Sequence, residues 1–221
     1  YSGSEGEEAL HAIRQAIGPD IRLMLDFGCP EYLTGGWNVK DAIRVARLLD
    51  KYDIFFLEEP LNPYDVEGFA ALTRESPVKI ATGESLTTVR DFQAFIERRA
   101  FDVAQPDAQQ MGITQFQRVA QTSEEAGIPC VPHCPWTVMA VAAHLNVLAT
   151  NRNGIMIEYP AFASFEVGSA VQTRVDAMHN RVVETPLSLI DGYLQLPESP
   201  GLGLGNYVLE AVAELNALYN Y

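Results

Sequence analysis

The chain has 221 residues, 48% of them hydrophobic, enough to bury the core of one large domain. Its 15 Lys and Arg against 29 Asp and Glu leave a formal charge of −14, a field that repels nucleic acid and anionic membrane surfaces. Cys29, Cys130 and Cys134 form no CxxC pair, which speaks against a disulfide framework or a structural zinc site and for a reducing compartment. No apolar run approaches the roughly 20 residues of a membrane span and no signal peptide opens the chain, so a cytoplasmic location is expected.

Ala9, Leu10, Ile13 and Ile17 stand at helical spacing and predict a helix over 4–17, ended by Gly18 and Pro19. IRLMLD (21–26) is too short for a helix and reads as a strand buried on both faces. The same grammar then repeats. A helix over 38–52 leads to DIFFLE (53–58), halted by Glu59-Pro60. A helix over 65–75 leads to VKIATGE (78–84), and one over 87–99, capped by Thr87 or Thr88, leads to FDVAQPD (101–107). A helix from about 112 to 126, IPCVPH (128–133), a helix over 136–149 and GIMIE (154–158) complete the series. The tail, 161–221, changes character, with strand-like pieces at 181–184 and 193–196, a glycine-rich PGLGLG (200–205) and a short final helix. It reads as an appendage outside the main body, so domains are expected at 1–160 and 161–221.

Strands separated by helices require parallel pairing through right-handed crossovers, in a (β/α) barrel or an open doubly wound sheet. Ionisable residues close every strand: Asp26, Glu58, Glu84, Asp107, His133 and Glu158, with gaps by subtraction of 32, 26, 23, 26 and 25. Barrel strands point such ends at one mouth, where active sites of that fold lie, whereas an open sheet spreads them along a line. Six units are visible where a full barrel has eight, so the barrel reading requires two strands upstream.

Asp26, Glu58 and Glu84 on consecutive strands would converge, and like charges in a small, partly dry space need a counter-ion. All-oxygen ligation suits Mg²⁺, with Mn²⁺ a substitute; zinc fits poorly without Cys or several His. Asp107 and His133 end adjacent strands, where the carboxylate would fix the imidazole tautomer and make a general base. Glu158, protonated, could donate to an oxyanion. Singly, each residue has a plainer reading: strand-end acids cap helices or pair with lysines, and His133 could be a structural histidine. Six at six strand ends are hard to explain that way. Cys134 beside His133 reads as a small residue rather than a thiolate nucleophile. His144 falls mid-helix in an apolar run and reads as core or helix face, and His11 and His179 as surface. Trp37 and Trp136 follow strands and could line a pocket or simply pack. PGLGLG lacks the strand-to-helix context of a phosphate loop.

LMLDFG, FFLEEPL, IATGES, AQPDAQQMGIT, CVPHCP, IMIEYP and PGLGL, in this order, resemble the mandelate racemase branch of the enolase superfamily, in the mandelate racemase and muconate lactonizing enzyme family. The resemblance implies a TIM-type (β/α)7β barrel, with this chain supplying its C-terminal catalytic part, strands three to eight, and a tail that packs toward an α+β capping domain. Nothing here matches that capping domain or the early strand with its Lys-x-Lys or Lys-x-His motif. It implies that Asp26, Glu58 and Glu84 bind Mg²⁺, that Asp107 and His133 form the base dyad, and that Glu158 hydrogen-bonds the enolate. Gln110 stands three residues past Asp107 with no lysine nearby, unlike branches similar to muconate cycloisomerase and dipeptide epimerase, which take their base lysine from that region.

The expected activity is therefore abstraction of the proton next to a substrate carboxylate, most often in this branch the dehydration of a sugar acid to a 2-keto-3-deoxy acid. Racemisation or epimerisation of a 2-hydroxy acid is the alternative, and a catalytically incomplete binding remnant is a non-enzyme reading. The expected partners are a small carboxylate substrate and further copies of the chain, since relatives commonly assemble as dimers and octamers.

Overall fold

Four of the apolar runs build one sheet. In a computed structural model, β1 (Leu23–Asp26), β2 (Ile54–Glu58), β3 (Lys79–Thr82) and β4 (Val103–Ala104) are parallel and lie side by side in chain order. The structure describes residues 3–28, 37–133, 137–159 and 181–219, which divide into two compact units, Tyr1–Gln105 and Pro106–Tyr221. The expected boundary near 160, together with Cys29, Cys134, Trp136 and His179, falls outside the described residues.

In the first unit, α1 (Gly3–Ile17) precedes β1, and α2 (Val39–Leu49), α3 (Val66–Glu75) and α4 (Val89–Arg98) alternate with the strands. Each of the three starts where a polar side chain takes an otherwise orphaned amide. Asn38 accepts from Asp41 N–H, Asp65 from Gly68 N–H, and Thr88 exchanges bonds with Asp91 in a capping box. Leu57 and Ile80 from the strands are fully buried together with Phe69, Phe92 and Phe95 from the helices. Phe95 lies 5.6 Å from Phe69 and stacks at 5.8 Å on Phe101. Each such ring contributes roughly 1.5–3 kcal/mol by burial, and Phe95→Ala would cost about 3–5 kcal/mol. Arg14 ties α1 to the sheet by donating to the carbonyls of Ile21 at 2.8 Å and Tyr52 and Asp53 at 2.9 Å.

β1 departs from expectation. It is not buried on both faces: Leu23 and Leu25 are half-buried while Met24 and Asp26 are exposed. Among the described residues it pairs only with β2, so one side of it lacks the neighbour that would cover it.

In the second unit, α5 (Ala108–Glu125) opens with one turn, breaks at Gly112 (φ 75°) and then runs on, as the helix expected from about 112. It packs on α6 (Val138–Leu148), whose cap Thr137 accepts from Ala140 N–H. The strands expected at 128–133 and 154–158 shrink to one parallel bridge, Cys130 to Gly154. Pro129 and Pro132 flank Cys130, and a proline has no N–H with which to continue a ladder. Tail residues Val182, Val183, Leu187, Leu204 and Ala211 bury against Val138, Val141 and Ala142 of α6. β5 (Leu189–Ile190) and β6 (Tyr193–Leu194) form a hairpin through Asp191-Gly192, both at positive φ (50° and 81°), as a tight hairpin turn needs. The piece expected at 181–184 makes a single antiparallel bridge, Val183 to Tyr207. The chain closes with α7 (Leu209–Tyr219).

Candidate active site

The register of the first sheet sets its acids next to one another. Asp26 is the pairing partner of Glu58, which ends β2, and Glu58 faces Ala81 of β3. Glu84 follows β3 by two residues and is half-buried. Asp26 Oδ1 accepts from Gly28 N–H at 2.6 Å, which fixes that carboxylate at the strand end. Glu58 is buried, 6% exposed.

Glu59 shapes the turn beside them. Its φ of 44° breaks the strand's alternation, so two successive acids can both turn inward. Its Oε1 accepts from Thr82 Oγ1–H and, at 3.0 Å, from Gly83 N–H, which moors the turn that carries Glu84. Oε2 is buried without a partner among the described residues. Burial, with the charges of Glu84 and Asp26 adding to it, pushes the Glu59 carboxyl up to about 7 against the bonds from Thr82 and Gly83. The acids therefore sit in one another's field. Among the described residues no three acidic, histidine or cysteine side chains form a finished metal cage. What the unit offers is hard oxygen donors at neighbouring strand ends with a surplus of negative charge, a set whose chemistry fits a divalent cation of the magnesium kind.

The second unit holds a histidine–aspartate pair. Asp107 caps α5, is fully buried, and its Oδ1 accepts from Gln109 N–H at 2.8 Å. His133 Nδ1 lies 3.3 Å from Asp107 Oδ2, with the His133 side chain 20% exposed. A second imidazole, His144 of α6, reaches Asp107 Oδ1 at 3.2 Å. Burial alone would raise the Asp107 carboxyl, but the neighbouring His133 and His144 and the bond from the Gln109 amide outweigh it and hold it well below the usual carboxylate range. Asp107 is thus an anion at any working pH. An anion beside Nδ1 keeps the proton on that nitrogen, which places the ring's lone pair on Nε2.

The expected pairing of Asp107 with His133 is present, and the expected neighbours Asp26 and Glu58 are register partners. Glu158 is exposed, four residues beyond the Gly154 bridge. Trp37 packs its ring 4.0 Å from Phe27, and His11 is exposed. Two functional candidates escaped the sequence reading: Glu59, whose buried carboxylate has the same composition signal as Glu58, and His144, correctly read as core but not as a partner of Asp107.

A parallel α/β fold with carboxylates at successive strand ends defines the class: a TIM-barrel-type domain. A family model described as enolase C-terminal domain-like matches residues 2–205, and the chain belongs to this family, within the enolase superfamily. It is 33% identical to the L-talarate/galactarate dehydratase of Salmonella typhimurium over 66% of the chain and 34% of that protein. It is 28% identical to the D-galactarolactone cycloisomerase of Agrobacterium fabrum over 92% of the chain and 52% of that protein. Among solved structures, an L-talarate dehydratase from Polaromonas, complexed with Mg and L-glucarate, superposes with a TM-score of 0.77 at 28% identity, covering 96% of this chain and 52% of that one. The chain thus spans about half the length, or less, of the curated relatives it matches. No helix among the described residues is long and apolar enough to cross a membrane.

Proposed function

We propose that the protein abstracts the proton next to the carboxylate of a sugar acid, with Mg²⁺ as cofactor, and dehydrates it to a 2-keto-3-deoxy acid. The observation that carries this reading is the buried, anionic Asp107 at 3.3 Å from His133 Nδ1, which leaves Nε2 as a base. Dehydratases among the relatives support the reaction class, and the magnesium and L-glucarate in a structural neighbour support the cofactor and the substrate class.

Asp26, Glu58 and Glu84 would hold the Mg²⁺, which when bound polarises the substrate carboxylate as a Lewis acid. His133 Nε2 takes the α-proton, and the C–H electrons move into the carboxylate while Asp107 steadies the imidazolium. Glu158, in its protonated form, donates a hydrogen bond to the charge that develops there. His133 then returns its proton to the hydroxyl on the next carbon, the C–O bond breaks and water leaves. The resulting enol ketonises to the 2-keto acid. A well-placed base of this kind contributes about 10²–10⁴-fold. The cycloisomerase relatives favour a second reading, in which the same proton abstraction ends in isomerisation without loss of water. Incubation with Mg²⁺ and a panel of aldonic and aldaric acids, with detection of 2-keto acid, tests the first reading. Exchange of the α-proton in deuterated water without keto acid would point to the second, and neither would sink both.

A further inference from the structure

The mechanism above leaves His144 without a task. It lies in mid-helix on α6 and is 0% exposed. Phe116 of α5 meets its ring edge-on, at 5.2 Å between centroids and 88° between planes. Nε2 accepts from the Ala108 N–H at 2.8 Å, so it has no proton to give Asp107 Oδ1, against which it packs at 3.2 Å. Nδ1 is buried with no partner among the described residues. An unpaired buried polar atom costs about 1–3 kcal/mol, so an apolar side chain of similar size would fit this helix face at less cost. Among the described residues, the polar contacts of the ring go to the Asp107–Ala108 corner.

That corner decides where the carboxylate points. Oδ1 already accepts from Gln109 N–H at 2.8 Å. With that amide on Oδ1, and His144 Nε2 packed against the same oxygen while it accepts from the next amide, Oδ2 is the oxygen left for His133. We propose that His144 is a positioning residue for the Asp107–His133 pair, holding the backbone behind the carboxylate through the Ala108 amide so that Oδ2 stays aimed at His133 Nδ1. Its effect on turnover rests on the proposed role of His133 as base; the geometric role does not.

The test uses H144M, which keeps an unbranched apolar filler, and H144Q, whose side-chain carbonyl can accept from Ala108 N–H in place of Nε2. In nitrogen-15-resolved proton spectra of the intact protein, the His133 Nδ1–H resonance is expected in wild type and H144Q and absent in H144M. In turnover, H144M is expected to lower kcat by between about 10- and 100-fold with KM within about twofold, H144Q to restore it, and H144M to add no penalty in a D107N background. An H144M protein that keeps the resonance and kcat overturns the proposal. So does an H144M penalty of the same size with and without Asp107. If H144M does not fold, a folded H144Q lacking the resonance overturns it. A protein that turns over no sugar acid defeats the functional reading alone, and the spectra still decide the role of His144.

Discussion

Glu59 allows a stability effect to be worked out with its sign. Its ordinary value is 4.5 and its folded value about 7, so between those pH values the folded protein holds a proton that the unfolded chain has released. Stability then falls by about 1.4 kcal/mol per pH unit. Over the window from 4.5 to 7, a span of 2.5, the metal-free protein loses roughly 3 kcal/mol. The contribution is fully present below 4.5 and gone above 7. Glu59→Gln has nothing to titrate, so its stability minus that of wild type should rise by roughly 3 kcal/mol across the window and be flat on either side. The slope is the readout, because the new amide occupies the place of the unpartnered Oε2 and shifts the offset at every pH. Urea unfolding of both proteins in chelator, from about pH 4 to about pH 8, measures it. A difference independent of pH would refute the burial of Glu59. Added Mg²⁺ should flatten the slope, since a cation among Asp26, Glu58 and Glu84 favours the ionised form.

Thr82→Val removes a hydroxyl that lowers the Glu59 carboxyl, so the upper end of that window should move above 7 in the same urea experiment. Gly83 has φ 137° and an added Cβ would lie 2.7 Å from the Phe92 ring; Gly83→Ala should cost on the order of 2–4 kcal/mol, read as a fall in Tm. Burial pushes the Cys130 thiol up to about 12, so peptide mass mapping after alkylation at pH 8 should find it unmodified in the native protein and modified in denaturant.

The first four strands were legible because parallel strands covered by helices must be runs of apolar residues, and LMLD, IFFLE and KIAT are such runs. The capped helix starts at Asn38, Asp65 and Thr88 were legible for an equally local reason. The fifth and sixth strands were overread because apolar character outweighed the missing N–H groups of Pro129 and Pro132. Contacts between distant residues were out of reach. His144 meets the Asp107 corner across 36 positions, and no helical spacing signals a partner on another helix. Glu58 and Glu59 are chemically identical in sequence, and only the left-handed turn at Glu59 shows that the second acid is the more deeply buried. The pairing of Asp107 with His133 could be anticipated because each ends an apolar run on neighbouring β–α units.

In the proposed reaction His133 removes a proton next to a carboxylate. The most direct measurement incubates wild type and His133→Asn with Mg²⁺ and the sugar-acid panel in deuterated water, following keto acid by absorbance and the α-position by NMR. Wild type is expected to form keto acid from a sugar acid, and His133→Asn to lose at least about 10²-fold in rate. Keto acid formed at equal rates by both proteins would contradict it.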